Sequence, residues 1–196
     1  MTEKERMLSG HTYDSRDPEL LNRYHRVRNI LASYNQTSSE NIQGKRETLE
    51  SLFGDMGEGV WIEAPFYCDY GEHIYIGDDT FINYNCIFLD SNHITIGRNV
   101  LIGPGVHIYT ATHPLSSNER LLENPDAGKS RTRYLTKSKP VTVSDNTWIG
   151  GGALIMPGIT IGVNSSIGAG SVVTKPIPPN CFAAGNPCKI IKRFQH

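Results

Sequence analysis

Of the side chains here that could do chemistry, His113 is the first to draw notice, closing YTATHP before a long polar run. Imidazole exchanges protons near neutral pH, so a histidine at the root of a loop suits general-base work on a hydroxyl. The competing reading is structural, because a lone histidine more often packs than reacts. His73, His93 and His107 lie earlier in the chain, but their spacing is a weak match to a zinc site. Asn83, in FINYNC, stands where LIGPGV has glycine. Its amide either relaxes a strained corner or binds a substrate hydroxyl. Toward the C-terminus, Lys189, Lys192 and Arg193 cluster in NPCKIIKRF, and Lys175 ends the last repeat. Ammonium groups so placed are either solvated or the counter-charges of a phosphorylated cofactor. No Walker loop, dinucleotide fingerprint, HExxH or GxSxG appears.

These residues hang on a repeat of six. In WIGGGALIMPGITIGVNSSIGAG, Ile149, Ile155, Ile161 and Ile167 recur at that spacing, and the frame extends to Val143 and Val173. An earlier block runs through Ile76, Ile82 and Phe88, slips by two residues at LDSNH, and resumes at Ile96, Ile102 and Ile108. Six is a multiple of two but not of 3.6, so these are strands. Small or β-branched residues sit two positions before the aliphatics, among them Val100, Val106, Thr147, Ala153, Ser165 and Ser171. Both sets point inward, with Gly, Asn, Asp and Pro at the corners. The result is a mainly β coiled prism of short parallel strands, whose hand the period does not set.

Before the coil, Asp17 and Pro18 cap and open a helix with Leu20, Leu21, Tyr24, Val27, Ile30 and Leu31 on one face. A second helix runs from about Glu40 to Phe53, and the pair closes the N-terminal end. The divisions expected are 1–57 helical, 58–113 first coil block, 114–139 excursion, 140–178 second block and 179–196 tail. The excursion carries Arg120, Lys129, Arg131, Arg133, Lys137 and Lys139 against Glu119, Glu123 and Asp126. It reads as a flap over the acceptor side of a neighbouring subunit's cleft. Phe81, Ile87, Leu101, Trp148 and Leu154 fall in the outward phase, which calls for a symmetric homo-oligomer. A net charge of -1 argues against nucleic acid or an anionic membrane as partner. No apolar run is long enough to span a bilayer, no signal peptide is visible, and Cys68, Cys86, Cys181 and Cys188 lack metal spacing. A cytoplasmic protein is expected.

The hexad frame, THP before a loop, WIGGGALIMPGITIG, GAGSVVTK, AAGNPCKIIK and the opening SGHTYDSRDPEL together resemble the maltose/galactoside O-acetyltransferases, over nearly the whole chain. The resemblance implies a left-handed parallel β-helix, a homotrimer with sites between subunits, and acetyl transfer from acetyl-CoA to a sugar hydroxyl without a covalent intermediate or a metal. By motif, His113 matches the general base and the Gly151 N–H the oxyanion donor. Asp69, Asn83 and Tyr134 fall on the acceptor side, with either Asp14 or Asp17. The family's acceptor acid aligns at Ser91, beside Asp90. Trp148, Gly151, Ala169, Thr174, Lys175, Lys189 and Lys192 fall along the CoA channel. Two other readings of the same coil are a zinc enzyme similar to γ-class carbonic anhydrases and a non-catalytic trimeric scaffold.

Overall fold

A computed structural model of the protein describes residues 1–122 and 133–195. The hexads form a three-faced parallel solenoid. The first face stacks Asp55–Met56, Ile74–Ile76, Ile94–Ile96, Val141–Val143 and Thr160–Ile161. The second stacks Trp61–Ile62, Phe81–Ile82, Leu101–Ile102, Trp148–Ile149, Ser166–Ile167 and Cys181–Ala184, and ends in the antiparallel strand Lys189–Arg193. The third stacks Phe66–Cys68, Cys86–Leu89, His107–Tyr109, Leu154–Ile155 and Val172–Val173. Asp55–Met56 already pairs with Tyr75–Ile76, so the coil begins ahead of residue 58.

Register follows the repeat. Ile82, Ile102, Ile149 and Ile167 are successive rungs, as are Phe88, Ile108, Ile155 and Val173. All are buried, and a slip of one residue would turn each of them to solvent. The corner between the first and second faces needs a left-handed residue. Asp79, Asn99, Asn146, Asn164 and Asn180 supply it, with φ of 54–59°. Side-chain amides join the last four into a ladder, at 3.3, 3.0 and 2.9 Å.

Helix α1 (Glu3–Leu8), α2 (Pro18–Gln36) and α3 (Ile42–Leu52) precede the coil. The Asp17 carboxylate accepts the Glu19 N–H at 2.9 Å, and Asn41 caps α3. Val27, Leu31, Tyr34, Leu49 and Leu52 join one core with Ile62 and Phe66, which closes the first coil. The sequence reading omits α1, although its capping box, Thr2 with Glu5, is present in the chain.

The excursion leaves the third face after Thr110. Ala111–Thr112 pairs antiparallel with Lys137–Ser138, and a short helix α4 (Ser117–Arg120) follows. Tyr13 bridges Thr136, so the returning limb of the excursion is held at its root to this chain's own N-terminal arm. Glu123, Asp126, Lys129 and Arg131 lie outside the described residues. Among the described residues no helix is long and apolar enough to cross a membrane.

Candidate active site

That closure builds a cavity of about 500 Å³. Its walls come from the arm (Tyr13, Ser15, Arg16), from α2 (Leu21, Tyr24), from the coil (Asp69, Tyr70, Ser91) and from the excursion (Ala111, His113, Tyr134, Thr136). His113 is exposed, with Tyr134 edge-on at 5.3 Å between ring centroids. Its Nδ1 lies 2.8 Å from the Leu135 carbonyl oxygen. A carbonyl only accepts, so Nδ1 carries the proton and Nε2 keeps the lone pair. The ring is thereby set as a proton acceptor.

Asp69 is the carboxylate of this wall. Burial pushes its carboxyl up to about 6, and the nearby Arg28 guanidinium draws it partly back. The Arg28 Nη2 donates to the Asp69 Oδ1 at 3.3 Å while stacking 4.5 Å over the Tyr24 ring. An ionised Asp69 accepts hydrogen bonds from a hydroxyl-bearing ligand; a protonated one accepts poorly. The Michaelis constant for the acceptor should therefore rise as pH falls through about 6. In Asp69→Asn it should be raised throughout and lose that dependence. A wild-type profile retained by the variant would remove Asp69 from acceptor binding.

Other expected acceptor residues are placed differently. Asp90 is fully buried beneath the wall rather than in it. Its Oδ1 accepts the N–H groups of Asp69 and Tyr70, each at 2.8 Å, so it shapes the backbone that presents Asp69. Burial, foremost, pushes the Asp90 carboxyl up to about 7. Ser91 does line the cavity. Asp17 caps α2, and the Asp14 Oδ1 accepts the Arg16 N–H at 3.0 Å. Neither lines the cavity, whereas Ser15 and Arg16 between them do. Tyr70 and Arg28 have no repeat phase or motif to mark them in the sequence, and Tyr13 and Tyr24 are marked there only by the opening motif and the helical face.

Asn83 belongs elsewhere. It lines a second cavity of about 590 Å³ with Phe81, Leu101, Trp148, Gly151, Ala169 and Phe182. The strained corner residue is Asn85, with φ 61°, not Asn83, whose Oδ1 accepts the Tyr84 N–H at 2.8 Å. Asn83, Gly151 and Ala169 share the edge between the second and third faces. The Gly151 N–H has no protein acceptor among the described residues. A Cβ at Gly103 would come within 2.6 Å of that nitrogen, so glycine there leaves the amide uncovered. Thr174 and Lys175 are exposed on the edge between the third and first faces, from which the excursion also departs. Lys189 and Lys192 lie on the last strand, paired with Ala184 and with Phe182 of the second cavity.

No residue lines both cavities. His113 and the Gly151 amide sit on different edges of one prism. Each face of the prism also presents an outward row. The first face shows Tyr75, Thr95, Thr142 and Thr160, while the second shows Trp61, Phe81, Leu101 and Trp148. The third adds Ile87, Leu154 and Val172. Leu101 is 51% and Trp148 55% exposed. Among the described residues no three His, Cys, Asp or Glu side chains gather as a metal site. His107, one of the four histidines, is held by the Tyr109 hydroxyl at 2.6 Å.

Likeness to known proteins places this hexad solenoid among the hexapeptide-repeat acetyltransferases. The pattern described as the maltose acetyltransferase hexapeptide capping motif matches residues 6–57, and that of the bacterial transferase hexapeptide, six repeats, matches 140–175. A maltose O-acetyltransferase from Clostridium difficile 630 is 43% identical, with 100% of this chain and 99% of that one covered and a TM-score of 0.92. A Vibrio cholerae hexapeptide-repeat acetyltransferase complexed with acetyl-CoA is 35% identical over 100% of both chains, at 0.86. A galactoside acetyltransferase in complex with coenzyme A is 34% identical over 100% of this chain and 92% of the other, at 0.89. The chain belongs to the maltose/galactoside O-acetyltransferase family, and its solenoid is that family's left-handed β-helix.

Proposed function

We propose that the protein transfers the acetyl group of acetyl-CoA to a hydroxyl of a sugar, directly, with His113 as general base. The observation that carries this is the Nδ1 bond to Leu135, which leaves Nε2 the ring's acceptor on a residue of the tyrosine-walled cavity. The acceptor hydroxyl gives its proton to Nε2 as its oxygen attacks the thioester carbonyl. The oxyanion so formed meets the Gly151 N–H of a neighbouring copy. Collapse breaks the C–S bond, and the thiolate leaves with the proton from His113. Asp69, Ser91 and Tyr134 orient the acceptor, joined across the subunit boundary by Asn83.

Two apolar faces out of three favour a closed ring of three copies, each giving one face and receiving another. Aromatic cavity walls suit the apolar faces of sugar rings, with hydroxyls turned to Asp69 and Ser91. Transfer to a panel of sugars tests the reading; turnover unaffected by any of them would reject it.

CoA lies along the edge of the Gly151 amide, against Trp148 and Ala169, with Thr174, Lys175, Lys189 and Lys192 as its further contacts. Neutralising the three lysines should raise the Michaelis constant for acetyl-CoA and leave the acceptor's nearly unchanged. An unaltered constant for acetyl-CoA would mean that these charges are merely solvated.

A further inference from the structure

We propose that Asn92 is a positioning residue for His113, acting through the returning limb of the excursion. Asn92 sits in LDSNH, where the hexad frame slips by two residues. Extra residues in a coil are expected to bulge into solvent, yet Asn92 is only 2% exposed. Its Nδ2 donates to the Ser138 Oγ at 3.0 Å and to the Leu8 carbonyl at 3.1 Å, and its Oδ1 accepts the His93 N–H at 2.8 Å. Its own N–H donates to the Thr110 Oγ1 at 2.8 Å, at the point where the excursion leaves. Ser138 in turn donates to the Met7 carbonyl at 2.5 Å. Every polar atom of the amide is used, so its orientation is fixed and its removal leaves buried partners unpaired.

Asn92 therefore ties the end of α1, the coil and the returning limb of the excursion through its side chain, and the outgoing limb through its backbone N–H. From Ser138 the limb runs back through Lys137, paired with Thr112, and Thr136, whose carbonyl accepts the Tyr13 N–H at 3.1 Å. It then reaches Leu135, whose carbonyl holds the His113 Nδ1. That carbonyl matters because neutral imidazole in water prefers the proton on Nε2, the tautomer that cannot accept there. Loosening the limb returns the ring to the wrong tautomer.

The inference rests on reading His113 as the base, but its test does not depend on turnover. Full-length protein with ¹⁵N-labelled histidine should show His113, assigned by loss of its signal in His113→Gln, as the Nδ1–H tautomer. Asn92→Ala, measured well below its melting temperature, should shift the ring toward Nε2–H. It should also lower kcat at least ~10-fold, the scale of a misplaced catalytic group, with the Michaelis constant for acetyl-CoA unchanged. Ser138→Ala breaks the same link and should shift the ring the same way if Asn92→Ala fails to fold. Asn146→Ala, in the corner ladder, serves as a control that costs stability without moving the tautomer. An Nδ1–H tautomer retained in Asn92→Ala, or in Ser138→Ala where only that variant folds, would overturn the proposal. A shifted tautomer with undiminished kcat would support the positioning role and count against His113 as base.

Discussion

Replacing His113 with alanine should lower acetyl transfer by at least ~10²-fold, the usual loss when a general base is removed. The fold should survive, because the side chain is exposed and, among the described residues, is held by an edge-on contact with Tyr134 and a hydrogen bond to the Leu135 carbonyl. Circular dichroism and sedimentation should match the wild type, and the Michaelis constant for acetyl-CoA should change little. The acceptor oxygen would then attack with its proton still in place, and among the described residues no other imidazole lines the cavity to take it. Turnover close to wild type would remove His113 from the mechanism.

Leu101→Asp should abolish assembly and transfer together. Leu101 is 51% exposed in one chain, flanked in register by Phe81 and Trp148 on an apolar face. Closing a subunit boundary over a carboxylate there would cost several kcal/mol without a partner charge. The solenoid core beneath would be untouched, since Ile102 is the inward residue. Sedimentation at micromolar concentration should show monomers in place of trimers. Transfer should be lost although His113 and its own cavity remain intact in each chain, because in the proposed site the Gly151 amide and Asn83 come from another copy. Folded monomers with full activity would place the whole site within one chain.

Much of the scaffold is legible in the sequence because it obeys a period. Ile149, Ile155, Ile161 and Ile167 can serve a prism and nothing helical, and Asp17–Pro18 announces α2 by local chemistry alone. The site is legible only where a motif marks it, as at His113, Trp148 and Gly151. Tyr13, Tyr24 and Tyr70 come from three separate segments, the arm, α2 and the coil, that meet only in three dimensions, so no spacing ties them to one wall. Asp14, Asp17 and Asp90 have the right chemistry for an acceptor, yet each accepts backbone N–H groups and none of the three lines the cavity. The LDSNH slip shows as a break in the frame. Its use, the burial of Asn92 against α1 and Ser138, is visible only once the chain has folded back on itself.

The central claim is that this chain moves acetyl from acetyl-CoA to a sugar hydroxyl by direct attack. Its most direct test incubates the purified protein with acetyl-CoA and a panel of mono- and disaccharides, measuring released CoA and O-acetyl sugar together. At least one sugar should accelerate CoA release and yield an equimolar O-acetyl ester, with both products lost in His113→Ala. CoA release indifferent to every sugar, or acetyl found on the enzyme rather than on a sugar hydroxyl, would contradict it.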